Sequence, residues 1–326
     1  MRTFPRRKFL GLAAGAAALP AVARPARAQT YPERPVRLLI GFNAGGAPDV
    51  VARLLCQWLS EKVGQNFLVE NRPGAGGNIA AEMVVRAPPD GYTLLQVGSP
   101  NFINASLDRD IKFDFLRDIA AVASIGRNPF VMEVTPSFPA TTVAEFIAYA
   151  KAHPGQINMT STGTGNLTHV IGELFKIMAE VDMLHVPSRG EMQAQSDLLA
   201  GRAQVMFDPI VSSLGYIKAG QLRALGVTSA TRLPALPDVP TVDDTVPGFD
   251  VTGALGIGAP KDTPAAVIDF LNDKINAALA DPAIKARLVE LGFVPAAMTA
   301  PEFGKFVADE TALWAKVIKT ANIKPQ

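Results

Sequence analysis

The chain reads as an α/β protein, and three features of the sequence predict that class. Strand-like apolar runs alternate with helix-period segments along most of its length. Turns rich in Gly, Pro, Asn and Asp separate them. The body behind a leader-like first segment is long enough for two domains or one large one.

The elements follow in order. Val36-Arg37-Leu38-Leu39-Ile40 has the apolar density of a buried strand, Asn43 to Pro48 is a turn, and Asp49 to Lys62 carries apolar residues three and four apart, as a helix requires. A second strand, Phe67-Leu68-Val69, runs into the Gly-rich turn Pro73 to Asn78 and a helix through Arg86. Pro88-Pro89-Asp90-Gly91 marks a turn, and Tyr92 to Val97 a third strand. Further strands are expected at Phe130–Val134, Ile157–Thr160, Ala203–Phe207, Leu222–Val227 and Val251–Ala259, with helices at Val143–Ala152, Leu167–Glu180 and Gln193–Ala200. Between Thr231 and Pro247, Pro234, Pro237, Pro240 and Pro247 alternate with acids and imply a rigid, irregular connection. The last stretch is helical, with starts near Thr263, Asp281 and Thr299.

The first 28 residues have the three parts of an export signal: a basic head, an apolar run from Phe9 to about Val22, and a small-residue end at Ala26-Arg27-Ala28. Cleavage after Ala28 and delivery to the periplasm are expected. Arg6-Arg7 ahead of Lys8-Phe9-Leu10 resembles a twin-arginine signal, the alternative being an ordinary secretion signal holding two arginines. The apolar run is shorter than the roughly 20 residues that span a bilayer. Six of the 31 Lys and Arg, and none of the 30 Asp and Glu, lie in this segment. Its removal from 326 residues leaves 298 with 25 positive and 30 negative groups, turning a net charge of +1 into −5. A mildly acidic body argues against nucleic-acid binding. Cys56, the single cysteine, lies in an apolar helical pattern and reads as core.

Two segments repeat one device, a strand running into a Gly- or hydroxyl-rich loop that opens a helix. The first is Gly41-Phe42-Asn43-Ala44-Gly45-Gly46-Ala47-Pro48-Asp49; the second runs from Thr160 through Ser161, Thr162, Gly163, Thr164, Gly165, Asn166 and Leu167 to Thr168 and His169. The first N–H groups of a helix lack intrahelical partners and carry the positive end of its dipole, so such loops favour an anion. Taken singly, each loop also reads as an ordinary strand-to-helix turn with Thr and Asn as caps. Asp49 either complements the dipole of its helix or meets a ligand, and Asp208 either closes a strand as a cap or presents a carboxylate to a ligand. The turn Gly74 to Asn78 is read as structural. Neither loop carries a nucleotide fingerprint. His153, His169 and His185 are spaced without a Cys or acid at metal-ligand separations, so no metal and no cofactor are expected. No Gly-x-Ser-x-Gly elbow supports a hydrolase, and no catalytic residue is assigned.

Gly45-Gly46-Ala47-Pro48-Asp49, Val69 to Asn78, Ala87 to Leu94, His169-x-x-Gly172-Glu173-Leu174-Phe175, Val205-Met206-Phe207-Asp208, Leu222 to Ser229 and Leu236 to Thr241 resemble, in order, the Bug-type solute receptors of tripartite tricarboxylate transporters. The resemblance implies a two-lobed periplasmic binding protein of the type II, flytrap-like kind, with a ligand cleft between lobes and two crossover strands. Lobe 1 would hold residues 29–129 and 251–326, and lobe 2 residues 130–250. It implies a small-molecule carboxylate as ligand, integral membrane transporter subunits as partners, and a monomer. The expected ligand-binding residues are Phe42, Asn43, Ala44, Gly45, Gly46, Asp49, Ser99, Asn101, Ser161, Thr162, Thr164, Gly165, Asn166, Thr168, Arg189 and Asp208. The chain departs from the family at Gly41-Phe42-Asn43, where Pro-Phe-Pro is usual, and at Ser188-Arg189-Gly190, where Tyr-Lys-Gly is usual. Arg189 either offers a second carboxylate a planar fork of donors or points to solvent. The alternatives are an orphan receptor that presents its ligand to a sensor kinase, and an enzyme acting on a carboxylate.

Overall fold

The computed structural model describes residues 31–107 and 111–324. The expected signal segment lies outside them. The chain divides into two units, Met1–Glu33 and Arg34–Gln326, and the strands and helices described below belong to the second.

Its strands are β1 (Val36–Ile40), β2 (Phe67–Asn71), β3 (Thr93–Gly98), β4 (Ile119–Val134), β5 (Asn158–Ser161), β6 (Leu184–Pro187), β7 (Val205–Pro209), β8 (Arg223–Val227), β9 (Thr252–Pro260) and β10 (Val294–Pro295). Its helices are α1 (Ala47–Val63), α2 (Asn78–Val85), α3 (Ser99–Leu107), α4 (Phe115–Asp118), α5 (Val143–Ala152), α6 (Leu167–Ala179), α7 (Glu191–Leu199), α8 (Ile210–Lys218), α9 (Ala265–Ala280), α10 (Pro282–Glu290) and α11 (Ala300–Thr320). The main path of the sheet runs β2-β1-β3-β9-β4-β7-β5-β6, with β8 and β10 also paired to β4. Strands β2, β1 and β3 are parallel, as are β7, β5 and β6.

One strand organises this pattern. Over Ile119–Pro129, β4 pairs antiparallel with β9; over Phe130–Val134 it pairs with β7 and β8. The sequence predicts only that second half, because Gly126, Asn128 and Pro129 interrupt the β-branched pattern ahead of it. The chain leaves the β4–β9 region at Phe130 and returns at Thr252. From Ser229 to Val251 it is irregular, as its prolines imply, with one isolated bridge inside the segment at Leu233–Leu236.

Helix ends follow the local sequence. Asp281 caps α10 by accepting the N–H groups of Ala283 and Ile284, and Thr299 with Glu302 forms a reciprocal capping box on α11. Helix α3 was hidden by Pro100 and two asparagines, although Pro is well tolerated in a first helical turn. Helix α8, strand β6 and the first half of β4 are likewise absent from the sequence reading. The core joins both regions: Trp314, Phe303 and Phe102 are fully buried on one side. Phe175 on the other lies 5.4 Å from Phe207 and 5.9 Å from Phe249 between ring centres. Cys56 is buried, and burial pushes its thiol up to about 12.

Candidate functional site

The loop from β1 to α1 is shaped by its own residues. Gly45 takes φ +84°, a left-handed conformation natural to glycine. Asp49, buried in the first turn of α1, accepts hydrogen bonds from the Gly45 N–H (2.9 Å), from Arg53 at both oxygens (3.0 Å each) and from Asn71 Nδ2 (2.9 Å). Burial works against ionisation, but these donors outweigh it and hold the Asp49 carboxyl at about 2. Asn71 Nδ2 also donates to the Phe42 carbonyl (3.2 Å), tying the loop to the end of β2. Asn43, Ala44, Gly45 and Gly46 are exposed at the tip.

A second loop packs against it. A Cβ on Gly41 would fall 2.5 Å from Gly77 Cα, so these backbones touch as only glycine permits. The turn read as purely structural therefore belongs beside the first loop. Asn101, just past β3, accepts from the Gly98 N–H (2.9 Å), and Ser99 accepts from the Ala254 N–H on β9 (3.0 Å).

The loop from β5 to α6 is knitted by hydroxyls and imidazoles. Thr168 Oγ1 accepts from the Thr162 N–H (3.0 Å) and lies 2.9 Å from Thr162 Oγ1. Ser161, fully buried, bonds its Oγ to His185 Nε2 (2.7 Å). The Gly165 N–H donates to His169 Nδ1 (3.0 Å), which leaves the His169 proton on Nε2, facing Glu173 at 3.6 Å. The His169 and His185 rings stack with centres 3.6 Å apart. Burial, and then the neighbouring His169, lower His185 to about 4, so it is neutral near pH 7. Sixteen residues of sequence separation gave no sign of this stacking. Thr164 is half-buried and makes no hydrogen bond among the described residues.

These loops meet at a cavity of about 230 Å³, lined by Gly41, Phe42, Gly76, Gly77, Gln96, Pro100, Asn101 and Asn166. It brings Phe42 and Asn101 together with Asn166, the residue that opens α6. Asn166 donates through Nδ2 to the Thr162 carbonyl, not to its own helix. Gly165 lies close by, where a Cβ would reach within 2.4 Å of Leu107 at the end of α3. The Phe42 ring covers Gly98, whose absent Cβ leaves room for it. A larger hollow of about 460 Å³ beside Phe113–Arg117 shares Asn101 and reaches Asn78, and one of about 600 Å³ runs along Ala315–Asn322, but neither is lined by the β1–α1 or β5–α6 loop.

The remaining expected residues stand back from the cavity wall. Asn43 to Gly46 and Asp49 shape the first loop, while Ser161, Thr162, Thr164, Gly165 and Thr168 build the second. Arg189 is exposed beside that second loop, with no hydrogen bond or ion pair among the described residues. Asp208, at the end of β7, is fully buried; its Oδ2 accepts from Gln195 Nε2 and Ser213 Oγ, both at 3.1 Å. Burial, and then the charge of Glu191, raise it to about 7. Gln96, Gly41, Gly76, Gly77 and Pro100 were not foreseen. Gln96 is a lone amide among Leu94, Leu95 and Val97, and that break in an apolar strand was the available signal.

Residues 51–323 match the model of the tripartite tricarboxylate transporter family receptors. The chain belongs to this receptor family. It is similar to the periplasmic binding protein BugD, with 33% identity, a TM-score of 0.72 and coverage of 91% of this chain and all of that one. It is similar as well to an R. palustris protein solved with adipate (36%, TM-score 0.76, 91% of this chain and 100% of the other). MatC from Rhodopseudomonas palustris, solved with malate, is 29% identical with a TM-score of 0.73 over 88% of this chain and all of its own. The fold is accordingly that of two-lobed periplasmic solute-binding proteins. Among the described residues no helix is long and apolar enough to cross a membrane, and no cluster of three or more metal-ligating side chains occurs.

Proposed function

We propose that this receptor works in the periplasm, captures a small carboxylate between its lobes and hands it to the membrane subunits of a tripartite tricarboxylate-type transporter. The observation that carries the reading is the 230 Å³ cavity, because it gathers a glycine-rich loop pair and the start of α6 around one space. Helix-opening N–H groups and the amides of Asn101 and Asn166 supply donors there, and Phe42 supplies an apolar wall. A volume below the usual range for drug-sized ligands suits a short acid. Similar receptors solved with adipate and malate support the same ligand class.

In this reading lobe 1 comprises residues 29–129 and 251–326 and lobe 2 residues 130–250, the switch of β4 from β9 to β7 and β8 being the supporting feature. Phe42, Asn101 and Asn166 touch the ligand. Residues Asn43 to Gly46, Asp49, Ser99, Ser161, Thr162, Thr164, Gly165 and Thr168 hold the two loops in register, and Arg189 and Asp208 lie behind them. The chain acts as a monomer, without catalysis, after cleavage behind Ala28.

A calorimetric screen of mono-, di- and aromatic carboxylates on the purified mature protein tests the assignment. At least one acid is expected to bind with a Kd near or below micromolar, about −8 kcal/mol. Asn166→Ala should weaken it at least tenfold. Failure of every acid, or steady turnover of a bound one, would remove the receptor reading.

A further inference from the structure

Gln96 occupies the middle of the buried sheet, opposite Ile40 on β1 and Ile257 on β9. It is 1% exposed and still lines the cavity. Its Nε2 donates to the Pro48 carbonyl at 3.0 Å. That bond fixes the amide, because the opposite orientation would set two oxygens against each other. Its Oε1 is therefore turned away from Pro48, and it is buried without any hydrogen-bond partner among the described residues. A buried acceptor in a sheet interior requires a donor, from water while the cavity is empty and from the ligand once water is displaced.

A carboxylate cannot be that donor. At neutral pH its oxygens only accept, and they would be repelled by the amide oxygen. The donors of the site, the backbone N–H groups and the side-chain amides of Asn101 and Asn166, suit the carboxylate; Gln96 suits a different part of the ligand. We propose that Gln96 Oε1 is a specificity determinant that selects acids carrying, besides the carboxylate, a hydrogen-bond donor such as a hydroxyl or an amine. The inference rests on the proposed receptor function. It deepens that reading by dividing carboxylates into donor-bearing acids, which are kept, and donor-free acids, which leave the Oε1 unpaired.

Matched pairs titrated into the mature wild-type protein test it without any mutation: malate against succinate, lactate against propionate, aspartate against succinate, and 3-hydroxybenzoate against benzoate. The donor-bearing member of the best-bound pair should bind at least tenfold more tightly. Gln96→Met, close in size and without the acceptor, should shrink that ratio to within about twofold; because it also removes the bond to Pro48, the readout is the ratio within each pair and not either affinity alone. Equal affinities within every bound pair, or a preference that survives Gln96→Met, would overturn the role of Gln96 while leaving carboxylate capture intact. No binding by any member would instead remove the receptor reading, and this inference with it.

Discussion

At Gly41 the space for a side chain is already taken. A Cβ there would stand 2.5 Å from Gly77 Cα, and backbone cannot swing aside as a flexible side chain can. Gly41→Ala should therefore separate the two loops that floor the cavity, at a stability cost of about 1–3 kcal/mol. Thermal denaturation would measure that cost, and calorimetry should show at least a tenfold weaker ligand. Asp49 makes a second prediction. Its carboxyl sits at about 2 against an ordinary 3.8, so its contribution is present above pH 4 and is lost as pH falls through 2. Asp49→Ala should cost about 1 kcal/mol at pH 7, a figure reduced because Arg53 is half-exposed, and urea midpoints for the two proteins should converge near pH 2. The sequence placed Asp49 correctly in a first helical turn but left its role open. The deciding partners, Asn71 and the Gly45 N–H, depend on how β2 comes to lie beside β1, which no local pattern encodes.

Strand β4 carries an element-scale consequence through its neighbour β7. Glu133 on β4 is fully buried, and among the described residues neither of its oxygens has a hydrogen-bond partner, nor does Oδ1 of the buried Asp208 on β7. Burial, and then the charge of Asp208, raise Glu133 well above its ordinary value, while Asp208 itself sits at about 7. Both acids therefore favour their protonated forms in the folded chain. Between pH 4 and 7 the folded state keeps a proton on Asp208 that the unfolded state releases, so the contribution of this group is greatest below pH 4 and is lost as pH rises from 4 towards 7. For Asp208 alone this amounts to as much as about 4 kcal/mol. Asp208→Asn should flatten the decline, read as Tm against pH from 4 to 8. It should not abolish it, because Glu310, raised to about 7 by burial, titrates in the same window. Only half of β4 was legible, since Phe130–Val134 has a strand's apolar density and Ile119–Pro129 does not. Helix α5 was legible to the residue, and the starts of α10 and α11 within a residue, because spacing and caps are local signals.

For the whole molecule the question is what ties the two crossings together. Thr228, fully buried after β8, joins both: its N–H donates to the Phe130 carbonyl (2.9 Å), and its carbonyl accepts from the Val251 N–H (2.8 Å). Its hydroxyl closes the clip, accepting from the Phe130 N–H (3.1 Å) and donating to the Val251 carbonyl (2.6 Å). Phe130 is where β4 leaves β9 and Val251 is where the chain comes back, so one side chain couples the outgoing and returning strands. Thr228→Val keeps the shape and deletes the hydroxyl, leaving the Phe130 N–H short of a partner in a buried place. The expected cost is about 1–3 kcal/mol in chemical denaturation. In the receptor reading proposed above, closure on the ligand bends both strands together, so the variant should bind more weakly than wild type by a factor that denaturation alone does not supply. Calorimetry at a temperature where both proteins are fully folded separates these effects. Unchanged affinity in a folded Thr228→Val protein would mean that the clip holds the fold without setting the approach of Asn166 to Phe42.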